Sequence, residues 1–173
     1  MKAELRQLSI HDGRDIYDML QELPKDENGF INGCYGSSFE EYKQWLVKSH
    51  NTAKGTSLAD WMVPQTVYWL YVDGQPVGIG KLRHYLTDRL REEGGHCGYA
   101  IRPAFRSMGY GKLLLKLLIK KAVSLGIDRL LITVLNHNTP SIKVALANGG
   151  VIEKVSEQRH YIWIDCSRIR NAL

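Results

Sequence analysis

The spacing of hydrophobic and polar positions changes period several times along the chain. Residues 3 to 9 interleave apolar and polar side chains and read as a short strand; His11 to Leu23 then sets Ile16, Met19, Leu20 and Leu23 at helical spacing, with Pro24 as a stop. From Pro24 to Ser38 no period holds and glycines recur in ENGFINGCYGSS, so this stretch reads as a loop, a kind of segment that often borders ligand sites. Ser38 with Glu41 three residues on is a capping-box signature for a second helix that buries Phe39, Tyr42, Trp45 and Leu46. QTVYWLYV, the turn Asp73-Gly74 and the strand from Gln75 to Leu82 read as an antiparallel hairpin. A short charged helix in LTDRLREE and a strand in HCGYAI follow. The pattern then predicts a helix over Gly109 to Leu125, a strand over Leu130 to Val134, a helix over Ser141 to Asn148, and strands over Val151 to Val155 and Tyr161 to Asp165. This order describes an α/β domain with a mixed sheet.

Composition narrows the class without changing that outline. A chain of 173 residues, 44% hydrophobic and 24% charged, suits one globular domain and shows no linker or repeat. Three cysteines, Cys34, Cys97 and Cys166, lie far apart with no C-x-x-C pair, which argues against a disulfide framework or a cysteine metal site and for a reducing cytoplasm. The first ten residues lack the apolar run of a signal peptide, and no stretch of about 18 apolar residues occurs, so neither export nor a membrane span is expected.

The net charge of +5 is modest, and its distribution matters more than its size. Residues 101 to 127 carry Arg102, Arg106, Lys112, Lys116, Lys120 and Lys121 with no acid, while the rest of the chain is near neutral. Within that stretch a strand passes through Pro103 to Gly109 and Gly111 and at once into a leucine-rich helix. Such a turn leaves the first helix amides without partners at the positive end of the dipole, an arrangement that binds anions, and glycine lets a phosphate approach the backbone. The segment is not a nucleotide P-loop, because Leu113 follows Gly111-Lys112 and Arg106 stands where the first glycine belongs; Leu114 likewise breaks a dinucleotide fingerprint. Lys116 and Lys120 read as a solvated face, and a basic helix that begins at an anion-binding turn gives little reason to expect nucleic acid.

Arg106-Ser107-Met108-Gly109-Tyr110-Gly111, an R-x-x-G-x-G run after Arg102-Pro103, resembles the acyl-coenzyme A signature of the GNAT superfamily of N-acetyltransferases. Asn138 and Ser141 followed by Asn148-Gly149-Gly150 resemble the family's second cofactor segment. LRHYL, GGHCGYAIRP, NGG and HYIWI are similar to a bacterial subgroup of uncharacterised predicted acetyltransferases. The resemblance covers Ala3 to about Asp165 and implies one domain with a largely antiparallel central sheet, a splayed strand pair and flanking helices.

It also implies acetyl-coenzyme A (acetyl-CoA) as acyl donor, no metal, and direct transfer to the primary amine of an unidentified acceptor, by a monomer or homodimer. Backbone groups of Tyr99, Ala100 and Ile101 would pair with the pantetheine arm, and an amide near Ile101 would face the thioester carbonyl. Ser107, Met108, Gly109, Tyr110, Gly111 and Lys112 would offer amides to the pyrophosphate, with Arg106 bracing the loop and Asn138 and Ser141 contacting the cofactor.

Two departures concern the chemistry. The tyrosine that many relatives carry seven positions after the asparagine, as acid for the thiolate, is Ala145, and a glutamate base of some relatives is Thr133. Tyr161 is the first substitute as thiolate donor and His96 as base, each with a purely structural role as the alternative; His84 and Glu93 are further candidates. Cys97 reads as a buried strand thiol, because consecutive strand residues face opposite sides and His96 cannot activate it. The four tryptophans read as core or rim, His137 as a strand-end cap, and Asp26 and Glu27 as acids able to attract a cationic amine or simply solvated. A coenzyme A binding or sensing domain without catalysis is the alternative function.

Overall fold

The computed structural model describes residues 1–170. A strand, β1 (Ala3–Gln7), and a helix, α1 (Arg14–Glu22), open the chain; α1 ends at Leu23, whose extended backbone is the conformation that a following proline imposes. The segment read as a loop contains a small hairpin, β2 (Asp26–Glu27) and β3 (Phe30–Ile31), closed by Asn28-Gly29 with both residues at positive φ. Asn-Gly is the strongest two-residue hairpin signal, and it was legible in the sequence but overshadowed by the surrounding glycines. Helix α2 (Phe39–Ala53) starts with the expected capping box: the Glu41 amide donates to Ser38 Oγ and the Ser38 amide to the Glu41 carboxylate.

β4 (Gln65–Val72) and β5 (Gln75–Arg83) form the anticipated hairpin, followed by α3 (Asp88–Glu92) and β6 (Cys97–Ile101). After a 3-10 turn at Pro103–Phe105 come α4 (Tyr110–Ser124), β7 (Arg129–Leu135), α5 (Thr139–Ala147), β8 (Gly150–Val155), β9 (Arg159–Asp165) and α6 (Ser167–Arg170). The strands make two antiparallel sheets, β1-β4-β5-β6 and β7-β9-β8, beside the small hairpin.

β4 is buried along nearly its whole length because both faces of its sheet are covered, which is why QTVYWLYV lacks apolar-polar alternation. Tyr68, Leu70 and Val72 pack toward Leu114, Leu115 and Leu118 of α4, in a core that continues into Leu130, Ile132 and Ile162 of the second sheet. Val67, Trp69 and Tyr71 pack toward Ile16, Met19 and Leu20 of α1 and toward Tyr42 and Leu46 of α2.

Among the described residues, backbone hydrogen bonding joins the two sheets where β6 begins. The His96 amide donates to the Leu131 carbonyl at 2.8 Å, and the Leu131 amide returns a bond to His96 Nδ1 at 2.8 Å. A Cβ on Gly95 would come within 2.5 Å of the Leu131 oxygen, so only glycine allows this approach. Beyond this joint no ladder pairing connects β6 to β7 among the described residues, and an opening is left between them.

Candidate active site

The opening between β6 and β7 is part of a cavity of about 900 Å³, lined along its length by Cys97 to Ile101 on one side and Ile132 to Leu135 on the other. Alternation along β6 decides which backbone groups face it. The Arg102 amide reaches Val77 of β5 and the Arg83 amide reaches the His96 carbonyl, so the even-numbered residues of β6 spend their backbone bonds on β5. Tyr99 and Ile101 therefore turn theirs toward the opening, whereas Ala100, though its residue lines the cavity, pairs with β5. Tyr99 and the Ile101 amide thus present a free strand edge to an extended ligand, the Ile101 carbonyl being taken by Arg106.

At one end the cavity is closed by the turn into α4. Gly109 caps the helix at φ 84°, Ser107 is held at φ 60°, and the amides of Ser107 to Lys112 make no backbone hydrogen bond among the described residues. The left-handed Ser107 is a locally strained conformation that the turn imposes. Ser107, Gly109, Gly111 and Lys112 line the cavity; the side chains of Met108 and Tyr110 do not, Met108 being exposed and Tyr110 lying 6.3 Å from Phe105, ring centre to ring centre. A Cβ on Gly111 would meet only ordinary contacts, 3.6 Å to Val144, and one on Gly109 nothing within 4 Å. The protein itself leaves room at both positions, and that room opens on unpaired amides.

Arg106 ties this turn to β6 and β2: Nε donates to the Ile101 carbonyl at 3.0 Å, and the guanidinium forks onto both oxygens of Glu27 at 2.9 and 2.6 Å. Glu27 is therefore engaged by an arginine, and Asp26 accepts from the Gly29 amide at the exposed hairpin. The hairpin carrying Glu27 reaches across the opening to the second sheet, where Asn28 Oδ1 bonds His137 Nε2 at 2.9 Å, so His137 holds the strap and not merely a strand end. Asn138 caps α5, accepting from the Ser141 amide at 3.4 Å, and both residues line the cavity.

His96 and Tyr161 lie outside the cavity lining. His96 is buried, and the bond from Leu131 to Nδ1 places its one proton on Nε2; burial and the nearby Arg91 and Arg83 hold its pKa down to about 4. Its acceptor nitrogen is occupied in joining the sheets. The Tyr161 hydroxyl donates to the Glu92 carbonyl at 3.0 Å, and neither His96 nor Tyr161 lines the cavity. His84 pairs with Thr66 at 2.7 Å, and Glu93 lines the cavity but is held by Arg159 at 2.9 Å. Burial pushes the Cys97 thiol up to about 12, so it carries no thiolate at neutral pH.

One group that sequence reasoning valued only for its backbone stands out. The Tyr99 hydroxyl is buried and meets no partner at ordinary hydrogen-bond geometry among the described residues, Ser141 acting on it without reaching that geometry. Burial raises its pKa, and the Ser141 side chain partly offsets that rise. A buried, orphaned hydroxyl on a cavity-lining residue is a frequent mark of a missing ligand. The far end of the cavity is lined by Trp61, Lys81, Arg83 and Arg89, none of which the sequence singled out as site residues. Among the described residues no group of three or more His, Cys, Asp or Glu could hold a metal, and no helix is long and apolar enough to cross a membrane.

The model of the acetyltransferase (GNAT) family matches residues 30–149. Among solved structures, Campylobacter jejuni N-acetyltransferase PseH in complex with acetyl coenzyme A is 18% identical, with a TM-score of 0.65 over 95% of this chain and 99% of that one. The spermidine/spermine N-acetyltransferase SpeG from Vibrio cholerae, in mutant forms, is 15% identical with a TM-score of 0.64, covering 99% of both chains. RimL, a ribosomal L7/L12 alpha-N-protein acetyltransferase in complex with coenzyme A, is 14% identical with a TM-score of 0.70 over 95% of this chain and 94% of that one. No curated protein matches the sequence significantly.

Proposed function

Because the chain belongs to the GNAT family of acetyltransferases, we propose that it transfers the acetyl group of acetyl-CoA to the primary amine of an acceptor by direct attack within a ternary complex. The observation that carries this reading is the continuity of the phosphate turn with the free edge of β6. Unpaired amides from Ser107 to Lys112 receive the pyrophosphate, and the backbone of Tyr99 with the Ile101 amide pairs with the pantetheine arm as an added strand. PseH and RimL, which share the fold, are complexed with acetyl coenzyme A and coenzyme A.

The thioester then lies along β6, where an amide of Tyr99 or Ile101 faces the charge that develops on its carbonyl oxygen. The neutral amine attacks, the C–N bond forms, and its proton leaves to water, since both carboxylates lining the cavity, Glu27 and Glu93, are held by arginines. As the C–S bond breaks, the Tyr99 hydroxyl gives its proton to the departing sulfur and regains one from solvent. Tyr99 takes this role, in place of Tyr161, because it lines the cavity and its hydroxyl is not spent on a backbone carbonyl, whereas that of Tyr161 is bonded to Glu92. It also acts beside Ser141, one helical turn before Ala145, where many relatives carry their tyrosine. The rest of the rate comes from holding amine and thioester together.

The test is titration of the protein with acetyl-CoA, followed by amine-dependent release of the coenzyme A thiol. Tyr99→Phe is expected to bind acetyl-CoA within about twofold of wild type and to turn over some 10²-fold more slowly, the usual scale of a lost general acid. Unchanged turnover removes Tyr99 from the chemistry. Binding without turnover on any amine supports a sensing domain instead.

A further inference from the structure

Past the thioester position the cavity runs under β5, and its character there differs from the cofactor end. Lys81 and Arg83 stand two residues apart on β5 and so project from one face of the sheet, the face that Ile79 turns toward α1 and α2. Both line the cavity. Lys81 Nζ donates to the Ile31 carbonyl at 2.6 Å and lies 4.5 Å from the centre of the Phe30 ring; Arg83 donates to the carbonyls of Gly94 and Gly95 at 3.1 Å each. Neither forms an ion pair among the described residues. Arg89, also lining the cavity, lies 5.7 Å over the Trp61 ring and likewise has no carboxylate.

No counter-charge is at hand. Glu27 and Glu93, the carboxylates lining the cavity, are bound to Arg106 and Arg159. Two thiols act electrostatically on the pair, Cys34 on Lys81 and Cys97 on Arg83; burial pushes both up to about 12, so they are uncharged at neutral pH. Carbonyl dipoles orient the two cations but only partly offset the cost of burying charge, and an entering anion recovers that cost. A polyamine would bring further positive charge against three cations with no free acid to receive it.

We propose that this end of the cavity is an anion subsite, and that the acceptor is an amine carrying its own carboxylate or phosphate, such as an amino acid or an amino-sugar phosphate. The subsite orients the acceptor by its anion, so that the amine points back along the cavity to the thioester. This assignment rests on the acetyltransferase reading above, which places acetyl-CoA at the other end.

The experiment compares thiol release with three sets of amines: amino acids and amino-sugar phosphates; the same amines with the anion removed, as amides or dephosphorylated sugars; and spermidine and kanamycin. The anionic members are expected to exceed their neutral counterparts in kcat/KM by about 30-fold or more, in line with a buried charge-paired contact. The preference between carboxylate and phosphate identifies the natural anion. Lys81→Met is expected to cut the discrimination to a few-fold while acetyl-CoA affinity by calorimetry and the thermal midpoint stay near wild type. Arg89→Ala, on an exposed side chain, supplies a second variant that does not disturb packing and is expected to raise KM for the anionic amine with kcat little changed. Equal rates on acids and their amides, or preference for spermidine, with acetyl-CoA binding intact, overturn the subsite and leave the acetyltransferase reading standing. Failure of the wild-type protein to bind acetyl-CoA overturns that reading instead.

Discussion

Gly111 separates two reasons for a glycine at the start of a helix. Its neighbours would accept a methyl group at ordinary contact distances, so packing does not require it. Gly111→Ala is therefore expected to stabilise the unliganded protein by up to about 1 kcal/mol. The same substitution should weaken acetyl-CoA by ~10-fold, because the methyl group stands where the phosphate approaches its amides. Thermal unfolding and calorimetry on one variant check both halves; a destabilised variant with unchanged affinity would show that the glycine serves packing. The R-x-x-G-x-G run was legible in the sequence because its chemistry is local, six adjacent residues on one turn. The surroundings of Tyr99 and Lys81 were not, because whether a hydroxyl or an ammonium has a partner depends on Ser141, Ile31 and the acids of distant elements.

At the scale of elements, strands and helices followed from periodicity, capping and turn residues, while the relation between the two sheets did not. His96 shows why. In sequence it is a histidine at the start of a strand, equally suited to catalysis or structure; in the fold its ring accepts the amide that ties β7 to β6. This gives a pH prediction. The folded-state pKa is lowered to about 4 from an ordinary 6.5, so between these values the unfolded chain takes up a proton that the folded one refuses. Stability from this group is complete above pH 6.5 and is lost as pH falls toward 4. The thermal midpoint is expected to drop across that window in the wild type and to drop less in His96→Gln, whose side-chain oxygen can still accept the Leu131 amide. Identical pH profiles would show that His96 does not titrate as the joint requires. The β2–β3 strap is the other element-scale result. Glu27, Asn28 and Phe30 reach Arg106, His137 and Lys81 across more than fifty residues each, pairings that no local pattern encodes.

Across the whole molecule, the positive segment from 101 to 127 proves less uniform in space than along the chain. Arg102 is forked onto Glu22 of α1 at 2.6 Å and Arg106 onto Glu27, so acids from the N-terminal elements neutralise two of its six charges. Lys112 stays at the phosphate turn, and the unbalanced charge of the cavity's other end comes from β5, outside that segment. The molecule thus brings a turn of unpaired amides, a strand edge and three cations without a carboxylate partner among the described residues onto one cavity. The proposed transfer requires that acetyl-CoA and an amine occupy this cavity together. Initial rates of thiol release, measured with both substrates varied, test it most directly. Amine-dependent release with intersecting double-reciprocal lines is expected; parallel lines, indicating an acetyl-enzyme, or release indifferent to the amine would rule out joint occupancy.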